Sequence, residues 1–307
     1  MTDTPVGLPL ASEAEDGSIT RCGYAAIVGP PNVGKSTLMN AIVGERLSIV
    51  TPKPHTTRAR VLGIISDPNR RVQVIFQDTP GIVKEPRYRL QEAMMAQISK
   101  SLEDADVVLA MYDYGKRDAD LVALTRAMVE GTGKPVVHVV NKIDLADGEV
   151  DLAGYPEGAF GISALHGVHM RELGDRIAEH LPPGPYLYPE DTLADQPERF
   201  FVAELIRETI FDKMRKEVPY TTAVAIDEFV ERSPKDYIAA SILVDRDSQK
   251  GIMIGKGGSM LKEIGRLSRA KVEEFLEREV FLELFVKVKK DWMKKDADLR
   301  ELGYLES

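Results

Sequence analysis

The sequence predicts an α/β chain: a mostly parallel sheet with flanking helices, followed by a smaller α+β unit. Three observations predict it. Short apolar runs at 24–28, 135–140 and 159–162 are separated by helix-like stretches. A Gly-rich turn at 29–36 links the first run to a helix-like one at 37–43. Beyond a Pro-rich break, Leu181-Pro182-Pro183-Gly184-Pro185, both the order of elements and the charge change.

The first element pair carries the strongest motif. Gly29-Pro30-Pro31-Asn32-Val33-Gly34-Lys35-Ser36, followed by Thr37, fits G-x-x-x-x-G-K-[ST] between a strand and a helix. Gly29 and Gly34 let the backbone curl so that its N–H groups face phosphate oxygens, and the helix N-terminus adds partial positive charge. Lys35 suits the β/γ-phosphates and Ser36 suits Mg²⁺. In the polar loop 51–57, Thr56 and Thr57 are candidates to close over that metal, with Thr57 preferred. The alternating run 71–76 leads to Asp78-Thr79-Pro80-Gly81. There Asp78 suits the metal side through water, and the Gly81 N–H suits the γ-phosphate. A plain D-T-P-G turn is the alternative.

The run 135–140 ends in Asn141-Lys142-Ile143-Asp144 at the carboxyl edge of the sheet, where ligands bind in open α/β folds. A carboxylate is a pure acceptor. Asp144 therefore matches the N1–H and N2–H₂ edge of guanine, and a site of this kind rejects an analogue lacking the donors by about 10⁴–10⁵. Asn141 is expected to tie this loop to the phosphate loop, with the Lys142 stem over the base. Ser163-Ala164-Leu165 follows the run 159–162 and could back the guanine with backbone N–H groups. In this order the motifs resemble the translation-factor class of Ras-like GTPases over residues 23–181. The resemblance implies GTP and GDP as ligands and Mg²⁺ as cofactor.

The chain has 307 residues, 43% hydrophobic and 29% charged, as expected of one or two soluble domains. A single cysteine, Cys22, excludes an intramolecular disulfide and fits a reducing, cytoplasmic setting. The five histidines show no metal-ligand spacing, and no apolar run reaches the length of a membrane span. Residues 1–20 have neither the basic start nor the apolar core of a signal peptide and are expected to form a mobile tail.

The second half differs in charge. Residues 1–195 hold 19 Lys+Arg against 27 Asp+Glu, whereas 196–307 hold 21 against 22. Within it, residues 249–272 carry Lys250, Lys256, Lys262, Arg266, Arg269 and Lys271 against Glu263 alone. Such a basic face on an acidic protein is a candidate footprint for a phosphate backbone. It includes Ile254-Gly255-Lys256-Gly257-Gly258, whose G-x-x-G core is the loop that clamps single-stranded RNA in KH domains. Apolar residues just upstream are expected to line a groove for unstacked bases. The surrounding pattern predicts a helix at 200–214, strands at 220–230 and 237–244, helices at 248–254 and 259–279, and a strand at 280–288. This is the prokaryotic-type KH order.

A Ras-like P-loop GTPase domain followed by an α+β KH domain resembles the Era family of bacterial ribosome-assembly GTPases, over all but the tail. The endings Lys287-Val288-Lys289-Lys290-Asp291-Trp292 and Leu299-Arg300-Glu301-Leu302-Gly303-Tyr304 share in the resemblance. The expected organisation is a tail at 1–20, a GTPase domain at 21–181, a linker at 182–197 and a KH domain with its extension at 198–307. The resemblance implies a monomer that binds the 3′ end of small-subunit (16S) ribosomal RNA on the pre-30S particle, with no DNA partner. A second class of reading is a GTPase whose C-terminal part docks protein or membrane. A third is a P-loop kinase, against which the guanine motif argues.

Many Ras-like GTPases place Gln after D-x-x-G to orient the attacking water. Here Ile82 stands there, so slow hydrolysis is expected. In related GTPases lacking that Gln, a phosphate-loop Asn holds K⁺, and Asn32 is the matching residue; shaping the loop is its alternative role. Leu90, Met94, Ile98 and Leu102 form an apolar stripe at spacing four, expected to be the core face of a helix. The minor alternative, suggested by the family, is weak peripheral contact with the inner face of the cell membrane.

Overall fold

The computed structural model describes residues 19–305 other than residue 52. Apart from Ile19 and Thr20, the expected tail lies outside the described residues. Two units form, each around its own core. The first holds the chain up to Ser48, Thr57–Glu85 and Met94–Asp195; the second holds Ile49–Thr56, Pro86–Ala93 and the chain from Gln196 on.

The elements of the first unit are β1 (Arg21–Val28), α1 (Lys35–Val43), β2 (Val61–Asp67), β3 (Val72–Asp78), α2 (Arg89–Asp104, whose first turn belongs to the second unit), β4 (Val107–Asp113), α3 (Ala119–Glu130), β5 (Val136–Asn141), β6 (Phe160–Ile162) and α4 (Met170–His180). The sheet order is β2-β3-β1-β4-β5-β6. All neighbours are parallel except β2, which is antiparallel to β3. Core residues lie on both faces of this sheet, so Ala25–Val28 is fully buried and reads as a continuous apolar run. β3 and β4 lie on opposite sides of β1, which makes the carboxyl end of β1 a topological switch point. The phosphate-loop motif starts there.

The sequence reading did not separate β2, because Val61-Leu62-Gly63-Ile64-Ile65 alternates in neither register. The stretch 182–197 is the one expected as a linker. As far as Asp195 it belongs to the first unit. The N–H groups of Leu187 and Tyr188 donate to Gln73 Oε1 (2.8 and 3.0 Å), and the Ile64 N–H donates to the Leu193 carbonyl (2.8 Å). Gln73 is fully buried, so its amide requires these backbone partners. The stripe on α2 is core: Leu90, Met94, Ile98 and Leu102 are all buried. It presents no apolar surface to a membrane, and no described helix is long and apolar enough to cross one.

The second unit contains α5 (Glu198–Lys213), β7 (Ala223–Val230), β8 (Asp236–Val244), α6 (Asp247–Ile254), α7 (Ser259–Leu276), β9 (Val280–Val288) and α8 (Asp296–Glu301). Its sheet runs β7-β8-β9, with β7 antiparallel and β9 parallel to β8. Val202, Ile206 and Ile210 of α5 share one core with Ile238 and Ile242 of β8 and Ile264 and Val272 of α7. Two boundaries move from expectation by three residues each. A 3₁₀ turn containing Pro219 delays β7 to Ala223, and Glu277, at φ 53°, stops α7 at Leu276. The C-terminal extension is anchored by Trp292, fully buried, whose Nε1 donates to the Thr221 carbonyl at 3.0 Å.

Candidate nucleotide site and nucleic-acid groove

The phosphate loop is shaped by two close approaches. A Cβ on Gly29 would lie 2.6 Å from the Met111 carbonyl oxygen. One on Gly34, at φ 100°, would lie 2.3 Å from Asn141 Nδ2. Lys35 lies almost wholly buried and donates to the carbonyls of Gly29 and Pro30, both at 3.0 Å. Burial lowers its pKa to about 8, opposed by the nearby Asp78 charge. A buried cation with only carbonyl partners on the loop is suited to a polyanion. Thr37 follows in the first turn of α1.

Three oxygens meet beside it. Ser36 Oγ donates to Asp78 Oδ2 at 2.8 Å and lies 2.9 Å from Thr57 Oγ1. Asp78 is fully buried and held above the usual carboxylate range by desolvation, against the Lys35 charge. Its Oδ1 has no hydrogen-bond partner. An orphaned buried carboxylate oxygen among hydroxyls fits a small hard cation such as Mg²⁺. Thr57 is thus the threonine placed at this cluster. Thr56 belongs to the second unit, where its carbonyl accepts from the buried guanidinium of Arg207 (2.5 Å). Thr79 turns inward, its Oγ1 donating to the Ile27 carbonyl at 2.7 Å. After Pro80, Gly81 packs on the phosphate loop, for a Cβ there would come within 2.9 Å of Pro31 Cα. Ile82 is buried in the core.

Asn141 joins three motifs. Its Nδ2 donates to the Val33 carbonyl (2.9 Å), and its Oδ1 accepts the Ala164 N–H (3.0 Å). The Ala164 N–H expected to face the base is therefore taken by Asn141. Ser163 Oγ donates to Asp144 Oδ1 at 2.5 Å, while Leu165 is largely exposed. Lys142, at φ 70°, extends its Nζ to the Asn32 carbonyl and to Asp113 Oδ2, both at 2.6 Å. Asp113 was missed by the sequence reading. The signal was available: Asp113 ends an apolar strand just as Asn141 does, and the two residues are register partners.

In the second unit the G-x-x-G turn follows Ile254, the last residue of α6. Gly255, Gly257 and Gly258 all have positive φ (72°, 59° and 81°). A Cβ on Gly257 or Gly258 would meet nothing within 4 Å, so the loop's outer side is open to a ligand. A groove of about 470 Å³ adjoins it, lined by Gly258, Leu261, Lys262, Gly265, Arg266 and Arg269 of the turn and α7, and by Leu282 and Leu284 of β9. The apolar floor therefore comes from α7 and β9. It does not come from the residues upstream of the glycines, of which Met253 is buried in the core. Lys250 and Lys256 lie outside the lining. Lys271, counted in the basic stretch, is paired with Glu208 (2.9 Å) and Asp212 (3.1 Å) on α5.

Residues 24–142 match the family described as 50S ribosome-binding GTPase, and residues 217–293 match the KH domain. The chain is 43% identical to GTPase Era of Geobacter metallireducens over 294 residues, covering 92% of this chain and 98% of that one. The chain belongs to the Era family of GTPases. Its fold class is accordingly a Ras-like GTPase domain followed by a KH domain, and its family activity is GTP hydrolysis. Era relatives extend to plants: the chain is 41% identical to chloroplastic GTPase ERA1 of Zea mays, covering 92% of this chain and 70% of that one. Among solved structures, a single-residue variant of Aquifex aeolicus Era bound to GDP·AlF₄⁻ superposes with a TM-score of 0.88 at 40% identity, covering 93% of this chain and 99% of that one. Era in complex with MgGDPNP and nucleotides 1506–1542 of 16S ribosomal RNA gives a TM-score of 0.86, also at 40% identity and with the same coverage.

Proposed function

We propose that this protein binds GTP, hydrolyses it slowly, and uses the bound nucleotide to control binding of the 3′ end of small-subunit ribosomal RNA during assembly of the pre-30S particle. The observation that carries the reading is a convergence: Lys35, Ser36, Thr57 and Asp78 meet at one end of the sheet, and Asn141 fastens the Asp144 loop to the same phosphate loop. The Era relative described with MgGDPNP and 16S nucleotides supports the RNA half.

Hydrolysis forms a bond from water oxygen to the γ-phosphorus and breaks the bond to the β–γ bridging oxygen, leaving GDP and phosphate. The phosphate-loop N–H groups and the Lys35 ammonium would stabilise the charge that develops on the phosphate oxygens. Ser36, Thr57 and Asp78 would hold Mg²⁺, which when bound would offset the β- and γ-phosphate charge. Ile82, sunk in the core, leaves its position with no side chain to orient water, which favours a slow rate. Asn32 is the residue we assign to K⁺. In the groove, Lys262, Arg266 and Arg269 would meet phosphates while Leu261, Leu282 and Leu284 take unstacked bases. We assign a cytoplasmic location, consistent with a single, free, buried cysteine, and a monomeric state by family resemblance.

The test is phosphate release from GTP and ATP by the full chain, with binding of a labelled oligonucleotide copied from the 16S 3′ end. GTP-selective turnover with RNA binding is expected. Equal use of ATP would overturn the first half, and absence of RNA binding with every nucleotide the second.

A further inference from the structure

We propose that Asp113 is a positioning residue for guanine-nucleotide binding: its carboxylate fixes the Lys142 ammonium on the base side of the site and locks the guanine loop to the phosphate loop. The inference rests on the guanine reading of Asn141–Asp144 and adds a residue that this motif does not include.

The geometry is specific. Asp113 is the last residue of β4 and pairs in register with Asn141, the last residue of β5. One carboxylate oxygen takes the Gly115 N–H at 2.9 Å, and the other takes Lys142 Nζ at 2.6 Å. The Asp113 carbonyl accepts the Tyr155 hydroxyl at 2.9 Å, and the next N–H, of Tyr114, donates to the Asn141 carbonyl at 2.9 Å. The carboxylate is therefore oriented by its own surroundings before it meets the lysine. Its side chain is 10% exposed and that of Lys142 32%, so the pair is partly shielded from solvent.

Lys142 completes the link by donating to the Asn32 carbonyl at 2.6 Å. Asn32 stands in the phosphate loop at φ 63° and Lys142 in the guanine loop at φ 70°. Two left-handed residues are thus joined by one ammonium, and among the described residues the charged group holding that ammonium is Asp113. A lysine is a flexible point charge. With carbonyl partners alone, Lys142 would be drawn toward the triphosphate, and its stem would leave the base. The opposed carboxylate keeps it in place, leaving Lys35 as the phosphate lysine.

The test is release of the fluorescent nucleotide mant-GDP from the full chain, chased with excess GDP, in a double-mutant cycle. Asp113→Asn keeps an acceptor for the Gly115 N–H but removes the negative charge that faces Lys142. Release should quicken about 10-fold, the scale of one charge-assisted hydrogen bond. In a Lys142→Ala background the same substitution should change release by less than about 2-fold, because its partner is gone. Asp113→Glu, which keeps the charge, should restore most of the residence time and serves if Asp113→Asn fails to fold. An equal acceleration in both backgrounds would make Asp113 a merely structural support and overturn the proposal, as would unchanged release in the wild-type background. Failure of the wild type itself to bind mant-GDP would instead overturn the guanine reading.

Discussion

The selectivity of the nucleotide site reduces to what one carboxylate can accept. Asp144 is oriented by Ser163 Oγ at one oxygen, with His166 Nε2 3.9 Å from the other, and its remaining lone pairs match a paired donor edge. Asp144→Asn replaces one acceptor by a donor. It forfeits two charge-assisted hydrogen bonds of about 1.5–3 kcal/mol each, so GTP affinity should fall roughly 10²–10⁴-fold while XTP, with a carbonyl at C2, gains. Competition of XTP and GTP for the variant measures this. Asn32 carries a second prediction at this scale: hydrolysis should be faster in K⁺ than in Na⁺, and Asn32→Ala should abolish the difference. Equal rates in the two salts for the wild type would return Asn32 to loop shaping. Residues with motif spacing were legible in the sequence because phosphate and guanine chemistry dictates their types and intervals. Asp113 has no motif spacing to mark it: its place at the end of an apolar strand is a signal, but its partner lies 29 positions away and strand register brings the two together.

At the scale of the element, α7 combines two roles on different sides. Ile264, Ser268 and Val272 are buried, while Lys262, Arg266 and Arg269 border the groove. Each phosphate contact to a single strand contributes about 0.7 to the slope of log K against log salt. The triple change Lys262→Ala, Arg266→Ala, Arg269→Ala should therefore reduce that slope by about 2 and weaken binding similarly across RNA sequences. An unchanged slope in a salt titration would place the RNA elsewhere. For α2, Ile98→Ala removes a fully buried side chain from the first unit's core and should cost about 2–5 kcal/mol of stability in urea unfolding, as a core position and not a membrane face predicts. The stripe on α2 was legible as a core face, and it is one, but where α7 stopped was not. Glu277 is an ordinary helix former that stands in a left-handed turn at the end of α7.

For the whole molecule, a nucleotide can control RNA binding only if RNA distinguishes the nucleotide states. Coupling of the usual size, about 5–150-fold, should appear as tighter oligonucleotide binding with a non-hydrolysable GTP analogue than with GDP. By linkage the oligonucleotide must then raise the protein's affinity for the analogue over GDP by the same factor. Two equal affinities would leave an RNA-binding GTPase without a switch. The sequence alone determined the α/β and α+β halves, the phosphate and guanine motifs and the G-x-x-G turn, because local spacing, glycine and the strand–loop–helix order carry those choices. Only the tertiary structure decided that 182–195 pack on the first sheet, that β9 supplies the groove floor, that Lys271 is already neutralised, and that Asp113 stands behind Lys142. Each of these depends on which distant strand or helix becomes a neighbour, and long-range pairing is set by the burial of whole surfaces, which no local pattern records.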